Sequence, residues 1–188
     1  MLTVHHLGVS QSERIVWLCE ELGINYELRK YERDPVTRMA PEAYRRLHPM
    51  GIAPIITDGE LVLAESGAIC DYIIARHGGG RLALGPDHPN FADYLFWFHF
   101  ANGTMMPNEM IGILKQMLGL ADDNPMVQGL SARAARAYAM LEQRCAAATY
   151  LAGDEFTAAD IMMGFPLTTM RLFSPKDISG FPNIRAYL

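Results

Sequence analysis

The sequence predicts a small α/β domain followed by an all-helical domain. Strand and helix signals alternate over the first part of the chain, a glycine-rich stretch, GGGRLALGPDHP, follows them, and every later periodic segment is helical. We therefore place the α/β domain at residues 1–78, a linker at 79–89 and the helical domain at 90–188. Hydrophobic residues make up 50% of the 188, which is enough for two adjoining cores.

The α/β domain opens with a predicted strand from Leu2 to His6 and a helix from Ser12 to Leu22, which ends at Gly23. A second strand, Tyr26 to Tyr31, precedes a short helix from Pro41 to Leu47. Strand, helix, strand and helix therefore follow one another.

A hairpin and a helix complete this domain. The two strands run from Pro54 to Thr57 and from Glu60 to Leu63, and Asp58-Gly59 between them is a strong signal for a tight turn. A helix capped by Ser66 runs from Ser66 to Arg76. The order βαβ, then α, then ββα is that of a thioredoxin-like domain.

The helical domain contains three segments with clear start signals. The first begins at Phe91 and is expected to bend at Pro107. The second runs from the cap and first-turn proline of Asn124-Pro125 to about Ala148, and the third starts at Thr157.

Composition excludes several classes of protein. The net charge of −5 comes from 21 acidic and 16 basic residues that are interspersed, so there is no electrostatic footprint for nucleic acid or a membrane surface. The 3 cysteines are far apart and lack CxxC spacing, which argues against a disulfide framework and a structural zinc site. No signal peptide or membrane-spanning run is evident, so we expect a cytoplasmic protein that needs no metal ion.

Ser10 has two interpretations. With Glu13 it matches a capping box, and it also stands at a helix start that follows a strand, where an anion is favoured. In thioredoxin-like folds that anion is a thiolate, but this loop has no cysteine, so a bound ligand would supply the sulfur. Lowering the pKa of a thiol by about two from its usual value of about 8.5 takes about 2.7 kcal/mol. A hydrogen bond to a charged acceptor contributes about 1.5–3 kcal/mol and a helix terminus about 0.3–1 kcal/mol, so the two together supply this free energy.

Two later segments suit the rest of such a ligand. The Ala53-Pro54 bond is either a cis bond that exposes the N–H and C=O of Ala53, or an ordinary proline on an edge strand. Glu65 and Ser66 follow the hairpin, where a helix start and a carboxylate complement the two charges of a free amino-acid terminus.

These residues lie in two segments, HHLGVSQSERIVWLCEELGINYEL and HPMGIAPIITDGELVLAESGAICDYI. Over Leu2 to Gly78 the chain resembles the N-terminal domain of cytosolic glutathione transferases of the bacterial, serine-using type. FTAADIMMG resembles a buried helix start of that family, where Thr157 and Asp160 form a capping box that supports folding. The resemblance implies a homodimer in which the first domain of one subunit meets the helices of the other.

The resemblance also implies the site. Glutathione is expected along the domain edge, with Glu65 and Ser66 at its γ-glutamyl end, Ala53 and Pro54 beside its backbone and Ser10 near its sulfur. Ser12 is the alternative partner of the sulfur. Weaker candidates are His5, His6 and Tyr31.

Two departures from the family pattern are evident. The family often carries a basic residue where this chain has Ile52, so His48 or Arg38 is expected to hold the glycine carboxylate instead. FPNIRAYL resembles the start of the family's penultimate or last helix, which implies that the helical domain is truncated at its end.

A cluster of aromatic and methionine residues stands where the family binds its electrophile. Core packing is the other interpretation, and the stronger one for most of them, because such a stripe on a helix is ordinarily buried. The cluster comprises Tyr94, Trp97, Phe98, Met105 and Met106.

The predicted activity is attack by the thiol of bound glutathione, a co-substrate, on a small hydrophobic electrophile. The alternatives are a glutathione-dependent peroxidase or disulfide reductase, and a glutathione- or ligand-binding protein without turnover. Fold alone does not separate them.

Overall fold

A four-stranded mixed sheet organises the first part of the chain. The structure is a computed structural model that describes residues 1–173 and 175–188, and the chain divides into two units, Met1–Ala83 and Leu84–Leu188. In the sheet order β2-β1-β3-β4, β1 is parallel to β2 and antiparallel to β3, and β3 is antiparallel to β4. The strands are β1 (Leu2–Leu7), β2 (Glu27–Tyr31), β3 (Ile55–Asp58) and β4 (Leu61–Ala64).

Three helices accompany the sheet, and two of them contact each other over a buried apolar face. They are α1 (Glu13–Leu22), α2 (Glu42–Arg45) and α3 (Ser66–Arg76). Leu18 and Ile73 are fully buried, as expected when helices cover a sheet whose strands carry apolar residues. The predicted thioredoxin-like domain is thereby confirmed.

Three local predictions in this unit were wrong. The cap position of α1 is Ser12 rather than Ser10, because residues 10–12 already form a turn that leads into the helix. The cap position of α3 is Glu65, so Ser66 is its first helical residue. In the hairpin Asp58 pairs with Leu61, so the turn residues are Gly59-Glu60; Gly59 has φ +60, which a first turn residue of type II′ requires.

The second unit is helical, as predicted. Its elements are α4 (Phe91–Phe100), a π-helical segment (Ala101–Met105), α5 (Met106–Leu118), α6 (Pro125–Ala147), α7 (Ala158–Leu167), a 3-10 segment (Thr169–Leu172) and α8 (Pro182–Tyr187). The irregularity expected at Pro107 lies in the π-helical segment just before it, since proline cannot donate to the preceding turn. Asn124 caps α6 by accepting from the N–H of Met126 at 2.9 Å.

The capping box of α7 is confirmed. Asp160 accepts from the backbone N–H of Thr157 at 2.9 Å, and the hydroxyl of Thr157 accepts from the N–H of Ala159 at 3.3 Å. Asp160 also accepts from the N–H of Leu151 at 2.8 Å and from the hydroxyl of Tyr187 at 2.9 Å. This buried carboxylate therefore ties a loop and α8 to the start of α7.

Within residues 1–173 and 175–188, no helix has both the length and the apolar character needed to cross a bilayer.

Candidate functional site

Two serine hydroxyls lie together in the loop between β1 and α1. Ser10 donates to the carbonyl of Leu7 at 2.7 Å, and its oxygen lies 2.8 Å from that of Ser12. Ser12 accepts from the N–H of Leu7 at 3.1 Å and lies 3.0 Å from Nδ1 of His6. Ser12 is 0% exposed and Ser10 is 6% exposed, so only Ser10 presents any surface to a ligand.

Arg33 holds this loop from outside it. Its Nε donates to the carbonyl of Gly8 at 2.7 Å, and its Nη2 donates to that of Val9 at 3.1 Å. Val9 has φ +51, a conformation that is strained for a β-branched residue and persists only where its surroundings impose it. Arg33 was not predicted as a site residue, because nothing in its local pattern marks it as a partner of a loop so far away in the chain.

The start of α1 differs from the prediction in one respect. The N–H groups of Glu13, Arg14 and Ile15 donate to the carbonyls of Ser10, Gln11 and Ser12, at 3.1–3.2 Å. These groups are therefore used within the loop, and the contribution of the helix to an anion is mainly its dipole.

Arg14 connects the loop to the start of α3. This arginine is 1% exposed, and its Nη1 donates to Oε1 of Gln11 at 2.6 Å and to the hydroxyl of Ser66 at 3.2 Å. Burial lowers the pKa of Arg14 to about 10, so it remains a cation at neutral pH. A buried positive charge thus lies beside both segments that the sequence assigns to the two ends of a ligand.

Glu65 and Ser66 differ in exposure. Glu65 is exposed and has φ +74, which is uncommon for a residue with a side chain, whereas Ser66 is 2% exposed. Such backbone outliers concentrate at functional sites. The Glu65 carboxylate is therefore accessible to a ligand beside the first turn of α3.

The Ala53-Pro54 peptide bond is cis. Among residues 1–173 and 175–188, no backbone hydrogen bond uses the N–H or C=O of Ala53. Ile52 is 54% exposed. His48 is half-buried, and its Nδ1 accepts from the N–H of Met50 at 3.2 Å.

His5 and Tyr31, two of the remaining polar candidates, contact each other on the paired strands β1 and β2. His5 is 2% exposed and lies 3.1 Å from the hydroxyls of both Tyr31 and Thr57. Burial lowers the pKa of His5 and of His6, so the neutral imidazole is favoured in both. The carbonyl of Arg38, the other candidate for the glycine carboxylate, accepts from Arg33 at 2.9 Å.

The chain's own thiols are buried or half-buried. Burial raises the pKa of Cys19 and of Cys70 to about 12, and that of Cys145 to about 11. Because the thiolate is the reactive form, the raised pKa values disfavour the reactive form of all three thiols.

The predicted electrophile cluster lies mostly in the core of the helical unit. Four of the five residues are at most 4% exposed: Tyr94, Trp97, Phe98 and Met105. Their burial agrees with the interpretation of this cluster as core packing, whereas Met106 is half-buried. A cavity of about 830 Å³ lies elsewhere in this unit, between α5 and α6, and none of the five residues lines it.

Among the described residues, no group of acidic, cysteine or histidine side chains is arranged to hold a metal ion.

Comparison with known proteins identifies the family. The family model described as the N-terminal domain of glutathione S-transferase matches residues 10–76, and the model of its C-terminal domain matches residues 127–188. Glutathione S-transferase 3 of Schizosaccharomyces pombe is 31% identical over 179 residues, which cover 89% of this chain and 73% of that protein. Glutathione S-transferase 1 of Saccharomyces cerevisiae is 26% identical over 215 residues, which cover 100% of this chain and 88% of that protein.

A solved structure gives the same result. The crystal structure of a glutathione S-transferase from Actinobacillus pleuropneumoniae superposes with a TM-score of 0.88 at 31% identity, covering 100% of this chain and 85% of the other. Ser10, Ser12, the cis proline and the Glu65-Ser66 start of α3 all lie within the matched N-terminal region. The chain therefore belongs to the glutathione S-transferase family.

Proposed function

We propose that this protein binds glutathione in its N-terminal unit and activates the thiol for attack on a small hydrophobic electrophile. The thiol loses its proton to solvent, the thiolate sulfur forms a bond to an electrophilic carbon, and the leaving group departs with the electron pair of its own bond. Family membership supports glutathione as the co-substrate. The chain supplies binding, orientation and stabilisation of the anionic sulfur.

The observation that carries this proposal is the difference between the two loop hydroxyls. Ser10 keeps 6% exposure and Ser12 none, so Ser10 is the group that meets the sulfur. Its hydroxyl exchanges the bond to the carbonyl of Leu7 for one to the thiolate, while Ser12 and the N–H of Leu7 keep the loop in place. A hydrogen bond to a charged acceptor contributes about 1.5–3 kcal/mol, enough to lower the thiol pKa by about one to two.

Arg14 adds long-range stabilisation. Its buried cation lies beside Gln11 in the loop and beside Ser66 at α3. Because the guanidinium is withdrawn from water, its field on a nearby anion is screened less than that of a surface arginine. The same charge therefore favours a thiolate at one end of glutathione and a carboxylate at the other.

The other end of glutathione is held by two complementary segments. The exposed Glu65 carboxylate accepts from the ammonium group of the γ-glutamyl residue, and Ser66 with the start of α3 holds its carboxylate. The unused N–H and C=O of Ala53 pair with the backbone of the tripeptide. Ile52 offers only apolar contact, and His48, which precedes it in the same segment, is the residue we assign to the glycine carboxylate.

The decisive experiment compares the wild type with Ser10→Ala. We expect the substitution to raise the pKa of bound glutathione by about one to two and to lower kcat for an activated aryl halide about 10- to 100-fold, with little change in glutathione affinity. Ultraviolet absorbance of the thiolate during a pH titration of the complex measures the pKa.

Ser12→Ala is the matched comparison. If Ser12→Ala raised the thiol pKa while Ser10→Ala left it unchanged, Ser12 would be the partner of the sulfur. A wild-type complex whose thiol ionises no more readily than free glutathione would reject thiol activation altogether.

A homodimer in the cytoplasm completes the proposal, supported by family membership. Light scattering with a mass near 42 kDa, about twice the 21.0 kDa of the chain, is the expected result. A mass equal to that of one chain would contradict it.

A further inference from the structure

A short chain of polar atoms connects His6, on β1, to the hydroxyl that we assign to the sulfur. Nδ1 of His6 lies 3.0 Å from Oγ of Ser12, and that oxygen lies 2.8 Å from Oγ of Ser10. Ser12 is 0% exposed and Ser10 6%, whereas His6 is half-buried. The proposed function uses Ser10 and gives the imidazole of His6 no part.

This chain has two possible directions, because a hydroxyl donates one proton and accepts at two lone pairs. Ser12 accepts from the N–H of Leu7 at 3.1 Å, which occupies one lone pair. In the outward direction, Nδ1 of His6 carries a proton and donates to the second lone pair. In the inward direction, Nδ1 accepts the proton of Ser12, and the second lone pair is then open to the proton of Ser10.

Only the outward direction suits a thiolate. The hydroxyl of Ser10 donates to the carbonyl of Leu7 at 2.7 Å, and it must leave that carbonyl to donate to sulfur. Oγ of Ser12 lies 3.2 Å from the same carbonyl, so its proton can replace that of Ser10 there. In the inward direction, His6 holds the proton of Ser12, and this replacement is lost.

We propose that His6 is a positioning residue for thiol activation, in which the N–H at Nδ1 donates to Ser12 and thereby leaves the Ser10 hydroxyl free to donate to the sulfur. This role rests on the proposed function, because it concerns the same sulfur. Burial and the charge of Lys30 lower the pKa of His6, and Glu32 opposes them. The imidazole is therefore neutral at pH 7, and the form required is its Nδ1–H tautomer.

Nuclear magnetic resonance of protein with isotope-labelled histidine tests this on the wild type, because the nitrogen shifts show which ring nitrogen carries the proton. In the complex with glutathione at about pH 8, above the ordinary pKa of histidine, we expect the proton of His6 on Nδ1. The spectrum of His6→Asn, which lacks this ring, assigns the signals. A proton on Nε2 in a complex whose thiol is ionised overturns the proposal.

Two variants of His6 separate the hydrogen bond from packing. We expect His6→Leu, which has no donor, to raise the pKa of bound glutathione by about one and to lower kcat at neutral pH about tenfold. His6→Asn keeps an N–H donor at a similar distance from the backbone, so its kcat should stay within about threefold of the wild type. His99→Leu removes an exposed imidazole of α4 and should leave both values unchanged.

The outcomes distinguish this role from the proposed function itself. If the wild type lowers the thiol pKa and His6→Leu lowers it equally, His6 has no part in activation and Ser10 acts without it. Equal losses in His6→Leu and His6→Asn overturn the role of the donor as well. A wild-type complex that does not lower the thiol pKa rejects both proposals.

Discussion

Ser10 and Ser12 are two residues apart, yet their hydroxyls do different things. Ser12 is completely buried and satisfies the N–H of Leu7, which is the last residue of β1. Ser10 lies at the edge of the same hydrogen-bond group and keeps a small exposed area. At the residue scale, Ser12 supports the shape of the loop, and Ser10 is the residue that a ligand can reach.

We predict that Ser12→Ala lowers the free energy of unfolding by about 1–3 kcal/mol, because it leaves the buried N–H of Leu7 without its acceptor. Urea denaturation measures the change. Ser131→Ala, at an exposed position on α6, should stay within about 0.5 kcal/mol of the wild type. Equal stability of both variants would show that the Ser12 hydroxyl is dispensable for folding.

At the element scale, the loop between β1 and α1 depends on residues outside it. Arg33 follows β2 by two residues and donates to two successive loop carbonyls, including that of Val9 in its left-handed conformation. Arg14 donates from α1 to the hydroxyl at the start of α3. Two arginines thus hold parts of the candidate site: Arg33 holds the loop, and Arg14 connects α1 to the start of α3.

We predict that Arg33→Met lowers kcat/KM for conjugation at least about tenfold, because a loop without its anchor holds Ser10 less accurately. Steady-state kinetics with glutathione and an activated aryl halide measure the effect. Arg29→Met is the control, since Arg29 lies on β2 and pairs with Glu27 away from the loop carbonyls. Equal losses in the two variants would point to a general effect of removing a cation.

The start of α7 depends on one carboxylate that accepts several hydrogen bonds. We predict that Asp160→Asn lowers the free energy of unfolding by about 1.5–3 kcal/mol, because the amide cannot accept at both positions. Chemical denaturation checks this, with Asp154→Asn at an exposed site as the control. A loss of activity without a loss of stability would instead give Asp160 a role in the reaction.

At the scale of the whole molecule, the buried His5 and the half-buried His6 make stability depend on pH. Burial lowers the pKa of His5 and of His6 below 6.5, so in this range the unfolded chain binds more protons than the folded one. Their contribution is complete above pH 6.5 and is lost as the pH falls through the lowered values. The free energy of unfolding should therefore decrease between about pH 7 and about pH 5.5.

The variant with both His5→Gln and His6→Gln tests this directly. Its unfolding free energy should change less over the same pH range than that of the wild type, whatever its absolute stability, because the titrating groups are gone. Denaturant midpoints at several pH values measure the two slopes. Parallel slopes would assign the pH dependence to other groups.

Most of the fold was predictable because its signals are local. Helix α3 has the predicted bounds, and the starts of α6 and α7 follow from Asn124 and Thr157. The cap positions at Ser12 and Glu65 were not predictable, because each depends on a backbone conformation imposed by neighbouring elements. The same reason accounts for Arg33, whose role exists only once β1 and β2 are paired.

The sequence by itself determined the order of the elements, the family and the segments that we propose as the glutathione site, since periodicity, turn residues and motifs are written in consecutive residues. Only the tertiary structure decided which serine is accessible and that Tyr94 and Trp97 belong to the core. Burial is a property of packing between distant segments, so no local pattern reports it.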